Sequence, residues 1–342
     1  AEIDSPSGEE DAIMHEISKI FSAIGIRHQF DDYGNCIAFV AGKGDPLLLT
    51  AHVDTVEPGR GVRVEKVDGI LQSVGETIVG ADNKAGVAVI LYTVETLKEH
   101  LSHRPLEIVL TRSEEIGNFG AVNLDYSLLS AKEGFSFDSG SPIGTITTAS
   151  PFYNRFDITV HGKACHAAHP ELGINPLVIT AEALAGITLG RVTEITTANI
   201  GLIEGGTARN SVPDSITLRG EVRSFDENEL ETTSKEIINI FSEKAKIHGA
   251  GISSGIVREN CGFSFGKNDP LLMLGMSTLQ SLQIEPILKE STGCYDANIF
   301  FEHGIKILNF GNGSTNNHTT EEQISTGNLE LLSQLLAALI TA

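Results

Sequence analysis

The chain has 342 residues, which exceeds the usual size of one globular core, so two domains are expected. Hydrophobic residues make up 41% and charged residues 20%, an ordinary globular composition that argues against disorder, collagen-like repeats and a coiled coil. The formal net charge is −21 and no cluster of Lys or Arg occurs, which argues against a nucleic-acid partner because such partners need basic patches.

Two features bear on the cellular compartment. No apolar run approaches the roughly 18 residues that span a bilayer, and the N-terminus lacks a basic-then-apolar signal sequence. The cysteines are widely spaced without a C-x-x-C pair, which indicates reduced thiols: Cys36, Cys165, Cys261 and Cys294. We therefore expect a cytoplasmic protein with no membrane segment and no disulfides.

The first part of the chain alternates strands and helices. Apolar spacing predicts an amphipathic helix over residues 9–24, and strands follow at 36–41 and 46–51. The run Leu47-Leu48-Leu49 is typical of a strand buried on both faces. Further elements are a helix at 83–97 and strands at 106–111 and 134–137. This alternation predicts an α/β sheet covered by helices.

The alternation of single strands and helices stops near residue 150 and resumes near residue 262. Between them we predict the order β-α-β-β-α-β, typical of one small sheet with two helices on a face. Afterwards α/β alternation resumes, with a helix at 270–282, a strand at 305–310 and a closing helix at 326–340. We therefore predict an α/β fold: a mixed-sheet domain of residues 1–149 and 263–342, interrupted by an inserted α+β domain of residues 150–262.

Acids and histidines follow the predicted strands of the first domain. His52 ends the buried strand, and Asp54 can approach its imidazole because residues two apart face the same side. Asp82 lies among small residues before a helix, where it could simply be the N-cap. Glu114 and Glu115 follow another strand, where two adjacent acids are usually just solvated.

Two more segments complete the set. Asp138 follows an apolar strand, and His318 ends the Gly-rich loop that starts at Gly311. Neither this loop nor the segment at 162–164 has the Gly-Lys-Ser/Thr ending of a phosphate loop, so nucleotide binding is not supported. Taken together, these residues supply enough nitrogen and oxygen ligands for two borderline-soft divalent ions: His52, Asp82, Glu115, Asp138 and His318. Such sites activate a bridging water and polarise a scissile carbonyl.

These motifs, in this order, resemble the dinuclear-zinc aminoacylase and carboxypeptidase superfamily, and within it the peptidase T-like tripeptide aminopeptidases. The resemblance covers nearly the whole chain, from Ser5 to the His318 loop. It implies that His52 and Asp138 bind one zinc ion, that Glu115 and His318 bind the other, and that Asp82 bridges them. It makes Glu114 the general base and Asp54 the partner of His52.

The resemblance also assigns roles outside the metal ligands. In that family the inserted domain closes over the site and often mediates dimerisation, so a homodimer is one expectation. His166 would stabilise the oxyanion, reaching a partner subunit's site, with His161 and His169 as competing candidates. Asn210 and Arg223 would hold the substrate backbone or its terminal carboxylate, as an Arg fork suits. The segment at 291–298, with Asp296, resembles a substrate-facing loop.

Three functional hypotheses follow. The first is an aminopeptidase acting on small peptides, because relatives with Asp at the position of Asp138 tend to be aminopeptidases or dipeptidases. The second is a carboxypeptidase or N-acyl amino-acid deacylase with the same metals. The third is a non-catalytic metal-binding protein, although no ligand or base is missing. A serine hydrolase is disfavoured because no G-x-S-x-G motif occurs.

Overall fold

A computed structural model describes residues 1–97 and 103–342. The chain divides into two compact units, the first formed by Ala1–Ala149 and Ser264–Ala342, the second by Ser150–Phe263. In the described residues the α-helices are α1 (Asp11–Ala23), α2 (Ala81–Leu97), α3 (Phe119–Val122), α4 (Pro176–Leu184), α5 (Glu227–Ile247), α6 (Pro270–Ser281), α7 (Asp296–Glu302) and α8 (Thr326–Thr341).

The strands follow in chain order. They are β1 (Arg27–Phe30), β2 (Cys36–Val40), β3 (Leu47–His52), β4 (Val64–Val67), β5 (Ile70–Ser73), β6 (Leu106–Thr111), β7 (Glu133–Ser136), β8 (Thr145–Ser150), β9 (Phe152–His161), β10 (Cys165–His166), β11 (Gly190–Arg191), β12 (Thr196–Gly205), β13 (Ser211–Val212), β14 (Ser215–Ser224), β15 (Gly251–Asn260), β16 (Phe263–Ser264), β17 (Ile287–Glu290), β18 (Lys306–Phe310) and β19 (Gln323–Ser325). Short 3₁₀ helices cover Tyr126–Leu128 and Pro170–Leu172.

A mixed sheet forms the centre of the first unit. Its strand order is β1-β2-β6-β3-β7-β18-β8-β16, with β17 paired to β8. Strands β6, β3, β7 and β18 run parallel, whereas β2 is antiparallel to β6 and β8 is antiparallel to β18. All six residues of β3 are buried, as expected for a strand covered on both faces. The carboxyl ends of the four parallel strands therefore share one edge of the sheet.

Apolar spacing and capping explain the helices of this unit. In α1 the residues Ile13, Ile17 and Phe21 are buried at helical spacing. Helix α6 starts with an Asp269 side chain that accepts the N–H of Leu271, and α8 starts with a Ser325 hydroxyl that accepts the N–H of Asn328. A separate three-stranded sheet has the order β19-β5-β4.

The second unit is a five-stranded sheet with two helices. The strand order is β11-β12-β14-β9-β15, and its long neighbours are antiparallel. Its core joins sheet residues such as Phe156 and Leu218 with Ile179 of α4 and Phe241 of α5. Helix α5 begins where the Asp226 side chain accepts the N–H of Glu229, and it spans the predicted residues.

The predicted fold class is confirmed: a mixed α/β sheet covered by helices, with an inserted α+β domain. Several elements were missed. The segment at 291–298 was predicted as a loop, yet α7 begins inside it at Asp296. Among the described residues, no helix is both long and apolar enough to cross a membrane.

Candidate metal centre

The candidate ligands lie at the carboxyl edge of the four parallel strands. His52 is the last residue of β3, Glu115 follows β6, Asp138 follows β7, and His318 lies in the loop after β18. Asp82 comes from the start of α2. Because parallel strands end at the same edge of the sheet, segments more than 200 residues apart in sequence converge there.

Two groups of side chains share one carboxylate. His52 Nε2 lies 3.3 Å from Asp82 Oδ1 and 3.3 Å from Asp138 Oδ1. His318 Nε2 lies 3.0 Å from Glu115 Oε1 and 3.5 Å from Asp82 Oδ2. Each group therefore contains one imidazole nitrogen and two carboxylate oxygens, all within 4.8 Å of one another, and Asp82 belongs to both.

The polar atoms of the cluster fit metal cations. Glu115 Oε1 is buried and accepts no hydrogen bond, although His318 Nε2 lies close to it. A buried polar oxygen without a hydrogen-bond partner is uncommon and calls for an explanation such as an ion. Nitrogen and oxygen donors in sets of three suit borderline-soft divalent ions that leave a position open. The cluster is therefore a candidate site for two such ions.

Local backbone geometry directs Asp82 into the cluster. The backbone angles of Asp82 and Asn83 are not helical, although both residues fall within the bounds of α2. The Asn83 side chain takes the capping role, because its Oδ1 accepts the N–H of Gly86 at 3.1 Å. The Asp82 carboxylate consequently faces the two histidines rather than the helix end.

The histidines carry raised pKa values in the metal-free cluster. Burial alone would lower the pKa of His52, but the carboxylates of Asp138, Asp54 and Asp82 outweigh burial and raise it well above its usual range. The Asp82 and Glu115 carboxylates raise the pKa of His318 to about 10. Each imidazole therefore holds a proton that a bound cation would displace.

Burial lowers the pKa of a histidine but raises the pKa of a carboxylic acid, because it disfavours the charged form of each. It raises the pKa of Asp138 to about 7 and raises the pKa of Glu114 well above its ordinary value, with nearby carboxylates adding to the effect on Glu114. In Asp82, burial is outweighed by the hydrogen bonds to His318 and His52, which hold its pKa well below the usual range. The surroundings thus favour the ionised form of Asp82 and the protonated forms of Asp138 and Glu114.

Asp54 contacts His52 and also the two adjacent acids, Glu114 and Glu115. His52 Nδ1 lies 3.4 Å from Asp54 Oδ1 and 3.1 Å from the Asp54 carbonyl oxygen. The buried Asp54 carboxylate also accepts the N–H of Glu114 at 2.9 Å, the N–H of Glu115 at 3.1 Å and the hydroxyl of Ser7 at 2.6 Å. Asp54 therefore positions both acids through their backbone, a role that sequence reasoning did not identify.

The side-chain amide of Asn118 holds the carboxylate of Glu114. Asn118 Nδ2 donates to Glu114 Oε1 at 2.9 Å and to Asp296 Oδ1 at 3.1 Å. Thr111 donates its hydroxyl to Asp296 Oδ2 at 2.5 Å. Asp296, predicted to contact substrate, is buried with only 4% of its surface exposed, and its carboxylate accepts hydrogen bonds from these two protein side chains. These contacts favour a positioning role for Asp296, which holds Asn118 where it can donate to Glu114.

Glu322 is a second residue that sequence reasoning missed. Its buried carboxylate accepts the N–H of Gly80 at 2.7 Å and the N–H of Asp82 at 3.0 Å. Asn317 donates to Asp82 Oδ2 at 3.0 Å from the same loop. The loop that carries His318 thus also fixes Asp82. The acid four residues after His318 offered no periodic or motif signal that distinguishes it from a surface residue.

The remaining predicted residues belong to the second unit. His166 lies on β10, which pairs with β13, and its Nδ1 accepts the N–H of Ala168 at 3.1 Å. Asn210 is close by, because its carbonyl accepts the N–H of Ala167 at 2.9 Å. Arg223 lies on β14, paired with Glu221 and stacked on the ring of Tyr153. Their roles stay predictions.

The chain is similar to known peptidases. Residues 153–249 match the M20 peptidase dimerisation domain, and residues 35–134 match peptidase family M28. Aminopeptidase PepT from Bacillus cereus is 33% identical with a TM-score of 0.94, over 99% of this chain and 95% of that one. A tripeptidase from Staphylococcus aureus is 31% identical with a TM-score of 0.95, over 99% and 94%. The Bacillus subtilis protein YqjE is 32% identical over 99% of this chain and 95% of its own length.

Proposed function

Because the chain belongs to the M20 family of dinuclear metallopeptidases, close to peptidase T, we propose that it removes the N-terminal residue from tripeptides. The family predicted from the sequence is confirmed, and with it a metallopeptidase of the aminopeptidase type. The observation that carries the proposal is the Asp82 carboxylate shared by two ligand groups, with Glu114 beside them.

We assign the metal ligands as the resemblance implies. His52 and Asp138 would hold one ion, Glu115 and His318 the other, and Asp82 both. The mixed imidazole and carboxylate donors support zinc, which accepts nitrogen and oxygen ligands and leaves a coordination position open in catalytic sites. When bound, the two ions supply Lewis-acid polarisation of the scissile carbonyl and lower the pKa of water.

Glu114 is the proposed general base. It lines the same cavity of about 230 Å³ as the ligands. Glu114 is half-buried, and desolvation raises the pKa of its carboxylate, which brings its proton affinity closer to that of a group working near neutral pH. Glu114 would take a proton from the attacking water and deliver it to the leaving amine. Asn118 and the backbone contact to Asp54 fix its orientation during both transfers.

The second unit supplies the proposed substrate contacts. We assign the oxyanion contact to His166, and the substrate backbone or terminal carboxylate to Asn210 and Arg223. The match to a peptidase dimerisation domain supports a homodimer formed through this unit. Apolar side chains exposed on β12, Leu202 at 51% and Ile203 at 52%, are consistent with such a surface.

The test uses metal-stripped protein reconstituted with zinc. Ala-Ala-Ala should be hydrolysed at its first peptide bond, whereas N-acetyl-Ala-Ala-Ala should resist, because an aminopeptidase requires a free N-terminus. Glu114→Gln should retain zinc but lose activity by at least about 100-fold, the usual contribution of a general base. Glu321→Gln, an exposed acid outside the cluster, is the matched control. Preferred cleavage of N-acyl amino acids would instead indicate the deacylase alternative.

A further inference from the structure

A second cavity adjoins the metal centre within the first unit. It has a volume of about 560 Å³ and is lined by Ser139, Gly140, Ser141, Pro142, Lys289, Ser314, Thr315, Asn316 and Asn317. Ser139 and Gly140 also line the cavity that contains the candidate ligands. Asn317 donates to the shared carboxylate of Asp82 at 3.0 Å. The second cavity therefore shares part of its wall with the cavity that contains the candidate ligands.

The chemistry of this cavity contrasts with that of the metal centre. Lys289 is its only charged lining residue, and no acid is among its lining residues. The Lys289 ammonium donates to the Ser141 hydroxyl at 3.1 Å, and it forms no ion pair with another residue that the structure describes. The rest of the lining consists mainly of hydroxyl and amide groups. In a chain with 45 acidic and 24 basic residues, a cavity with this composition favours an anionic ligand.

We propose that this cavity is a specificity pocket for an acidic side chain at the N-terminal residue of the substrate. Lys289 would pair with the carboxylate, Ser141 and Asn317 would supply further polar contacts, and Pro142 would contact the methylene stem. A volume of about 560 Å³ leaves room for a whole side chain rather than a bare carboxylate. The proposal rests on the tripeptide aminopeptidase function and adds a preference for N-terminal Glu over Gln.

The experiment compares kcat/KM for Glu-Ala-Ala, Gln-Ala-Ala and Ala-Ala-Ala with the zinc-loaded enzyme. Glu and Gln have the same shape, so their ratio isolates the charge. We expect Glu-Ala-Ala to exceed Gln-Ala-Ala about tenfold at low salt, and this ratio to shrink as salt screens the partly exposed pair. Lys289→Met should bring the ratio close to one, because it removes the positive charge and keeps an unbranched side chain. Lys289→Arg should keep the preference.

Lys66→Met is the matched control, because Lys66 lies on β4 and does not line the cavity. Equal rates for Glu-Ala-Ala and Gln-Ala-Ala in the unmodified enzyme would overturn the proposal, as would a preference that survives Lys289→Met. It would also be overturned if Lys289→Met slowed Ala-Ala-Ala but not its C-terminal amide, because the pocket would then bind the terminal carboxylate. If no tripeptide were hydrolysed at all, the proposed function itself would fail.

Discussion

Glu322 gives the sharpest test of how the shared ligand is positioned. Its side chain is only 1% exposed, and it accepts the backbone N–H groups of Gly80 and Asp82 at 2.7 and 3.0 Å. Glu322→Ala leaves both donors without their acceptor, at a cost of about 1–3 kcal/mol for each one that stays buried. We therefore expect a loss of about 3 kcal/mol in the free energy of unfolding of the metal-free protein.

The same substitution should weaken metal binding. Without Glu322 the loop at 80–82 can relax, so part of the binding energy must restore the position of Asp82. A cost of about 1.4 kcal/mol corresponds to a tenfold loss in affinity. Urea unfolding measures the first effect, and zinc titration against a competing chelator measures the second. Glu322→Gln, which keeps one acceptor oxygen, should show intermediate values for both.

The adjacent acid provides the control. Glu321 is exposed, so Glu321→Ala should change the unfolding free energy by less than about 0.5 kcal/mol and leave zinc affinity unchanged. If Glu322→Ala behaved like Glu321→Ala in both measurements, the inference that Glu322 positions Asp82 would be wrong.

Three further predictions concern the centre and the core. Asp54→Ala should lower zinc affinity or kcat about 10–100-fold, since it removes the partner of His52 and the acceptor for two backbone N–H groups; an unchanged enzyme in both assays would contradict this. His318, with a pKa raised from 6.5 to about 10, stabilises the metal-free fold through its protonated form below pH 6.5, and this contribution is lost as the pH rises through about 10. Filling both metal sites with zinc at pH 7 should therefore release about two protons from the imidazoles of His52 and His318, measurable by calorimetry in buffers of different ionisation enthalpy, and pH-independent affinity would refute it. Burial raises the pKa of the Cys36 thiol to about 12, so a disulfide reagent at pH 8 should label it only after unfolding, and rapid labelling in the native protein would show that it is accessible.

The sequence predicted the sheet and placed the ligand candidates at its edge for a physical reason. Parallel strands buried on both faces appear as continuous apolar runs, and polar residues that follow such runs must lie at the carboxyl edge. The convergence of His52, Glu115 and Asp138 could therefore be predicted from the sequence alone.

The supporting contacts could not be predicted in the same way. Asp54 reaches the backbone of Glu114 across 60 positions, and Glu322 reaches the backbone of Asp82 across 240. Such hydrogen bonds depend on loop conformation, which leaves no periodic pattern in the chain. Asp296 was predicted to bind substrate because its segment resembles the family's substrate-facing loop; in the structure it begins α7, is buried and accepts a hydrogen bond from Asn118.

The most direct measurement of the central claim is product identification from an asymmetric tripeptide. The zinc-loaded protein is incubated with Leu-Gly-Ala, and the products are identified by mass spectrometry at early times, with Glu114→Gln as the inactive control. We expect free Leu and Gly-Ala, formed only with metal present and only by the enzyme that retains Glu114. Release of free Ala with Leu-Gly, or equal turnover by Glu114→Gln, would contradict it.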